Sequence, residues 1–191
     1  MKQIGKEVCF LRTGVKNPRN GESSFLRLRD GRIMCIYTKY YGDDWTDHAI
    51  ARLEAIYSSD EGETWSDRIT VAADERYNLC EVSILECENN TLTAFLRENS
   101  LEGYDIMKVI SYDNGETWGE VYKTPMACGH RPTVGFLNDG NVLVSYRFIP
   151  SGPASVQNTF VSLLRREDLL KSARKDQWIR TMPLAYDRNP I

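Results

Sequence analysis

No apolar run in the chain approaches the roughly 18 to 20 residues of a membrane span, and the opening MKQIGKEVCFLRTG holds no signal-peptide core. A cytoplasmic protein is therefore the expectation, or a secreted one if a leader has been lost by truncation. Positive charge is not in surplus either: 24 Lys and Arg against 27 Asp and Glu give a net charge of -3 and a pI near 5.5. Without a basic field, neither nucleic acid nor an anionic membrane is an expected partner. Ligand-rich clusters are missing as well. The five cysteines (Cys9, Cys35, Cys80, Cys87, Cys128) are odd in number and show no CxxC or Cys/His spacing, and there are only two histidines. This argues against zinc or disulfide chemistry, so the cysteines read as buried thiols in a reducing compartment. No metal or organic cofactor is expected.

What the sequence does contain is a globular balance, 41% hydrophobic and 27% charged, over a length that can bury a real core. Its apolar runs are short, rich in β-branched and aromatic residues, and broken by turn residues, which predicts an all-β chain. SFLRLRDGRIMCIYTKY sets Asp30-Gly31 between two such runs, and FLNDGNVLVSYRF repeats the device with Asp139-Gly140. VSILECENNTLTAFLREN carries Asn89-Asn90 at the corresponding place, and asparagine also tolerates positive φ. Each hairpin is followed by a polar loop and a third apolar run. After ARLEAIY comes SSDEGETW, and after DIMKVIS comes SYDNGETW, one Ser-x-Asp-x-Gly-x-Thr-Trp octet written twice.

Short fourth runs, DRITVAA and EVYKTP, complete four-stranded antiparallel units over about residues 17–73 and 78–124. A third unit spans about 129–183 but reads RREDLLKSARKD where the octet should stand, and its leucines leave a helix open as the competing reading. Tandem four-stranded units at this period predict a β-propeller, whose blades bury both faces only by stacking. Three blades cannot close a ring. The chain therefore reads as part of a propeller, or as one half of a homodimeric ring that covers its open sheet edges.

Within the octets, Ser58 and Asp60, like Ser111 and Asp113, are suited to bonding the turn backbone. Gly62 and Gly115 supply positive φ, Thr64 and Thr117 begin the outer strand, and Trp65 and Trp118 give an apolar plate. These are structural tasks, and Asp60 and Asp113 would be rotated copies too far apart to act on one substrate. The octets resemble the Asp-box, or bacterial neuraminidase repeat, of the sialidase superfamily. NPRNGESSFLRLRDGRIMCIYTKYYGDD and GHRPTVGFLNDGNVLVSYR resemble it too, so the resemblance covers about residues 17–183. It implies a sialidase-type, six-bladed β-propeller of which about three blades are present, and removal of a terminal acidic sugar from a sialoside or other acidic glycan. A noncatalytic carbohydrate-binding or scaffold propeller is the alternative.

In an up-and-down blade the hairpin and octet turns share one face, so a site belongs to the opposite loops, which are rich in Arg, Asp, His and Tyr. Arginines there suit an anionic sugar, and a carboxylic acid can protonate a leaving oxygen. The resemblance implies an arginine triad, a tyrosine nucleophile assisted by glutamate, and an aspartate acid/base in the first blade's loop. Asp43, Asp44 and Asp47 lie in that loop, and Asp47, beside His48, is the catalytic candidate. The family's first arginine stands about ten positions before the first turn glycine, where this chain has Gly21 or Glu22. Arg19 is two positions off. Arg131, in His130-Arg131-Pro132 nine residues before Gly140, is the best anion-binding candidate. Arg97 and Arg147 each end a second strand and could enter the same cleft, or simply lie over apolar neighbours. His130 is a candidate for orienting a hydroxyl, and Glu22, Glu75 and Glu98 are unranked carboxylates of that face.

Overall fold

The apolar runs on either side of each Asp-Gly or Asn-Asn pair become arms of antiparallel hairpins. The structure, a computed structural model, describes residues 5–100, 105–150 and 158–185. Among them the first sheet comprises β1 (Asn20–Arg27), β2 (Ile33–Tyr40), β3 (Ala51–Ser58) and β4 (Ile69–Ala72). The second comprises β5 (Leu79–Glu86), β6 (Leu92–Glu98), β7 (Ile106–Ser111) and β8 (Tyr122–Lys123). The third comprises β9 (Gly129–Phe136), β10 (Val142–Phe148), β11 (Asn158–Leu164) and β12 (Ile179–Ala185). In each sheet the spatial order follows chain order and all pairing is antiparallel. These are three blades of an incomplete propeller ring.

The turns show why the hairpins form. Gly31 and Gly140 take φ of 94° and 82°, while their aspartates accept the backbone N–H two residues on, at Arg32 and Asn141. At the middle turn Asn89 and Asn90 both adopt positive φ, 54° and 58°. The octets are equally self-contained. Ser58 Oγ accepts from Gly62 N and donates to Asp60, Asp60 accepts both the N–H and the hydroxyl of Thr64, and Trp65 Nε1 donates to the Gly62 carbonyl at 3.0 Å. Ser111, Asp113, Gly115, Thr117 and Trp118 repeat every one of these bonds. With that many donors, headed by Thr64, the Asp60 carboxyl is held down at about 2, and the Asp113 carboxyl is lowered by Thr117 and Ser111 in the same way. One expectation is corrected: Thr64 and Thr117 stay inside the turn, and the outer strands begin only at Ile69 and Tyr122.

The core lies between blades. Met34, Ile36, Leu53 and Ala55 of the first blade meet Leu79, Leu92, Ala94 and Leu96 of the second, all fully buried. Leu85, Phe95 and Ile106 meet Val142, Val144 and Leu164 of the third. Residues 163–175 do not form the competing helix. Leu163 and Leu164 pair with β10, where Leu164 is fully buried, and the segment then makes two single 3-10 turns, Arg166–Asp168 and Arg174–Asp176. Of the cysteines, Cys35 and Cys80 are buried and Cys87 and Cys128 partly so; Cys9 is exposed, because the segment before β1 lies on the surface of the first blade.

Where the third blade lacks an octet, its neighbour supplies the tie. Lys108 of β7, fully buried, donates to the Leu169 carbonyl at 2.8 Å and to Gln177 Oε1 at 3.0 Å. Burial pushes its ammonium down to about 8, against a smaller opposing pull from Asp168. The folded state thus releases this proton before the unfolded chain does, so between pH 8 and 10.5 unfolding takes up a proton and stability from this group rises with pH. Relative to a Lys108→Met variant, the wild type is expected to gain up to about 1.4 kcal/mol per pH unit across that window. Urea midpoints of both proteins at several pH values check this, since thiol and phenol ionisations cancel in the difference; parallel pH profiles would refute it.

Candidate functional site

The octets and the candidate site occupy opposite ends of the strands. Ile33 pairs with Ser58 at one end of the first blade and Tyr40 with Ala51 at the other, about 23 Å apart at strand rise. Contacts sort the same way. Arg27 pairs with Glu61, and Asn114 bonds Asp30, so octets and hairpin turns meet on the first face. The loop after β2 meets the ends of β5 and β6 on the second.

On that second face the backbone of the Asp47 loop is clamped by two buried asparagines. Asn78 donates to the carbonyls of Asp47 (3.0 Å) and Ala49, and Asn99 donates to Asp47 at 2.7 Å. His48 Nδ1 donates to the Asn99 carbonyl at 2.9 Å. The Asp47 side chain stays 75% exposed and reaches Arg19 Nη2 at 2.9 Å, while the Arg19 guanidinium stacks 3.9 Å from the centre of the Tyr40 ring. Burial drives the Tyr40 phenol up to about 12, with Arg19 opposing, so this tyrosine is no ready nucleophile. Asp44 is spent on Thr46, whose N–H and hydroxyl it accepts. Glu98 is buried and accepts the Ser100 N–H, whereas Glu75 is exposed on the connector.

The network runs on through Asn99, which accepts from Arg97 Nη2 at 2.8 Å; Arg97 Nη1 reaches Glu81 at 2.9 Å. Arg97 and Arg147 hold matching places, opposite Cys80 and His130 of their inner strands. His130 is buried opposite Arg147. Burial first, then the charges of Arg97, Arg147 and His48, press its imidazole down to about 3, so it is neutral at pH 7. The sequence-chosen residues Asp47, Arg19, Arg97, Arg147 and His130 thus lie on one face. Residues 101–104, 151–157 and 186–191 of the same loop set lie outside the described residues.

Glu22, Glu81 and Arg131 are also brought together. Each sits on the inner strand of its blade where the ladder register slips, and Glu81 and Arg131 carry positive φ of 44° and 54°. They line a shared cavity of about 240 Å³. Sequence reasoning missed Glu81, Asn78, Asn99 and Tyr40. Glu81 had a findable signal, standing nine positions before Asn90 as Glu22 does before Gly31 and Arg131 before Gly140.

A larger cavity, about 480 Å³, opens on the octet face between Arg29, Cys87, Leu137 and Arg166. Its arginines are engaged, Arg29 with Glu86 and Arg166 with Glu88, and it lies away from the clustered polar network.

No protein-family model matches the chain, and no curated protein matches it. Solved structures do. A protein of unknown function from Dyadobacter fermentans DSM 18053 aligns at 24% identity and TM-score 0.68, covering 84% of this chain and 40% of its own. The Hadza microbial sialidase Hz136 aligns at 18% identity and TM-score 0.60, covering 81% and 32%. A thermostable family-43 glycoside hydrolase aligns at 14% and 0.61, covering 90% and 60%. The likeness establishes the propeller fold. The chain spans less than two thirds of each of these proteins.

Proposed function

We propose that the second face is part of the active site of a glycoside hydrolase that removes a terminal sugar, in the manner of the exo-acting sialidases that the octets resemble. The observation that carries this reading is the convergence of an exposed carboxylate, Asp47, on a loop fixed by buried asparagines, with guanidinium, imidazole and carboxylate groups contributed by all three blades. In this scheme Asp47 is general acid and then base, Arg131 steadies negative charge that develops on the departing oxygen, Arg19 holds the Asp47 carboxylate in place, and His130 orients a hydroxyl. Arg97 ties Glu81 to Asn99 behind the Asp47 loop, and Arg147 stands at the matching place in the third blade. The fold shared with a sialidase and a family-43 glycoside hydrolase supports the reading.

A second reading, a carbohydrate-binding propeller without catalysis, is favoured by one feature: Glu22 occupies the first blade's position where an anchoring arginine was expected. A panel of methylumbelliferyl glycosides, sialoside included, separates the two. Fluorophore release from at least one member is the expected result. Binding without release would leave only the second reading, and neither binding nor release would remove both.

A further inference from the structure

We propose that Glu22, Glu81 and Arg131 form a selectivity subsite that takes the hydroxyls of a neutral sugar and disfavours a carboxylate-bearing one. The proposal rests on the carbohydrate reading of this face and narrows its substrate class. Three inner strands place these side chains at the same slip in the ladder, nine residues before each hairpin's turn residue. A residue left out of the ladder is turned away from its sheet partners, and all three line one cavity with the hydroxyl residues Ser23, Ser83 and Thr133.

The chemistry of that wall is mixed. Carboxylates only accept, a guanidinium only donates, and serine or threonine does both. A sugar hydroxyl, itself donor and acceptor, can satisfy every one of these groups. A sugar carboxylate can be met by Arg131 and by the serine and threonine hydroxyls, but it gives the carboxylates of the wall no donor and brings a further negative charge toward Glu22. Two neighbouring pairs cancel internally, Arg97 with Glu81 and Arg19 with Asp47, each at 2.9 Å, so the charge that a ligand meets on this wall from the acidic side is that of Glu22. Among the described residues Glu22 makes no ion pair, and this exposed carboxylate lines the cavity.

Calorimetric titration of the full chain with neutral methyl glycosides (galactose, mannose, fucose) and with methyl α-N-acetylneuraminide tests the idea. At least one neutral glycoside is expected to bind at least tenfold more tightly than the sialoside. Glu22→Arg should shrink that ratio at least tenfold, and Glu22→Gln, which keeps the shape and removes the charge, should give an intermediate ratio. A sialoside preference in the wild type, or a ratio unchanged in both variants with far-ultraviolet circular dichroism intact, overturns the selectivity role and leaves the carbohydrate reading standing. No binding of any sugar overturns both.

Discussion

Gly115→Ala is expected to destabilise the protein by about 2 to 5 kcal/mol, a large share of the 5 to 15 kcal/mol that holds a typical domain folded. Two costs add. Gly115 has φ of 88°, which strains any residue with a Cβ by about 1 to 2 kcal/mol. The added methyl would also stand 2.6 Å from Met34 Cε and 3.0 Å from Leu92 Cδ1, and against the Tyr57 hydroxyl that donates to the Gly115 carbonyl at 2.7 Å. Overpacking of this kind costs about 1 to 3 kcal/mol.

The other octet provides the control. Gly62 has an equal φ of 89°, but a Cβ there meets only Trp65 at 3.7 Å. Gly62→Ala should therefore show the backbone cost alone. Urea unfolding of both variants reads the difference, and equal losses would mean that the second octet does not dock on the first blade. That docking is visible in the bonds that Tyr57 and Arg32 donate to the Gly115 carbonyl and Glu116, and in the one that Asp30 accepts from Asn114. The octet closes a turn by itself, and between blades it also serves as a latch.

The blades were legible because their rules are local. Turn pairs at Asp30-Gly31, Asn89-Asn90 and Asp139-Gly140 mark the hairpins, and the octets set the phase of each third turn, so strands and faces follow from chain order. The count of nine that linked Arg131 to Gly140 also reaches Glu22 and Glu81, and the structure shows these as one position in three blades. What the chain did not disclose is contact between distant segments. Asn78 and Asn99 look like ordinary loop residues, and only folding brings both amides onto the Asp47 carbonyl. Likewise Lys108 stands in an apolar strand with nothing nearby in sequence to receive it; its acceptors lie 61 and 69 residues away. A leucine-rich segment with helical spacing, residues 163–175, became strand and turns because pairing with β10 and burial of Leu164 outweigh local periodicity.

Asp47→Asn is expected to lower kcat by about 10² to 10⁴, the range a positioned general acid contributes, equivalent to about 3 to 5 kcal/mol in the barrier. The fold should survive. The lost Arg19 pair is largely exposed on the Asp47 side and contributes about 1 kcal/mol or less, while the asparagine clamps act on the Asp47 backbone, which the substitution leaves in place. KM should therefore change little, which distinguishes loss of a proton donor from loss of binding. A sharper reading comes from the leaving group. An aryl glycoside whose phenol departs readily needs little protonation, whereas an alkyl or natural glycan leaving group needs it fully. The variant should accordingly lose least on a dinitrophenyl glycoside and most on an alkyl one. Equal losses on both would assign Asp47 to steadying Arg19 rather than to proton transfer. Wild-type activity in the variant would move the acid elsewhere on the same face, where Glu81 and Glu22 are the next carboxylates to test.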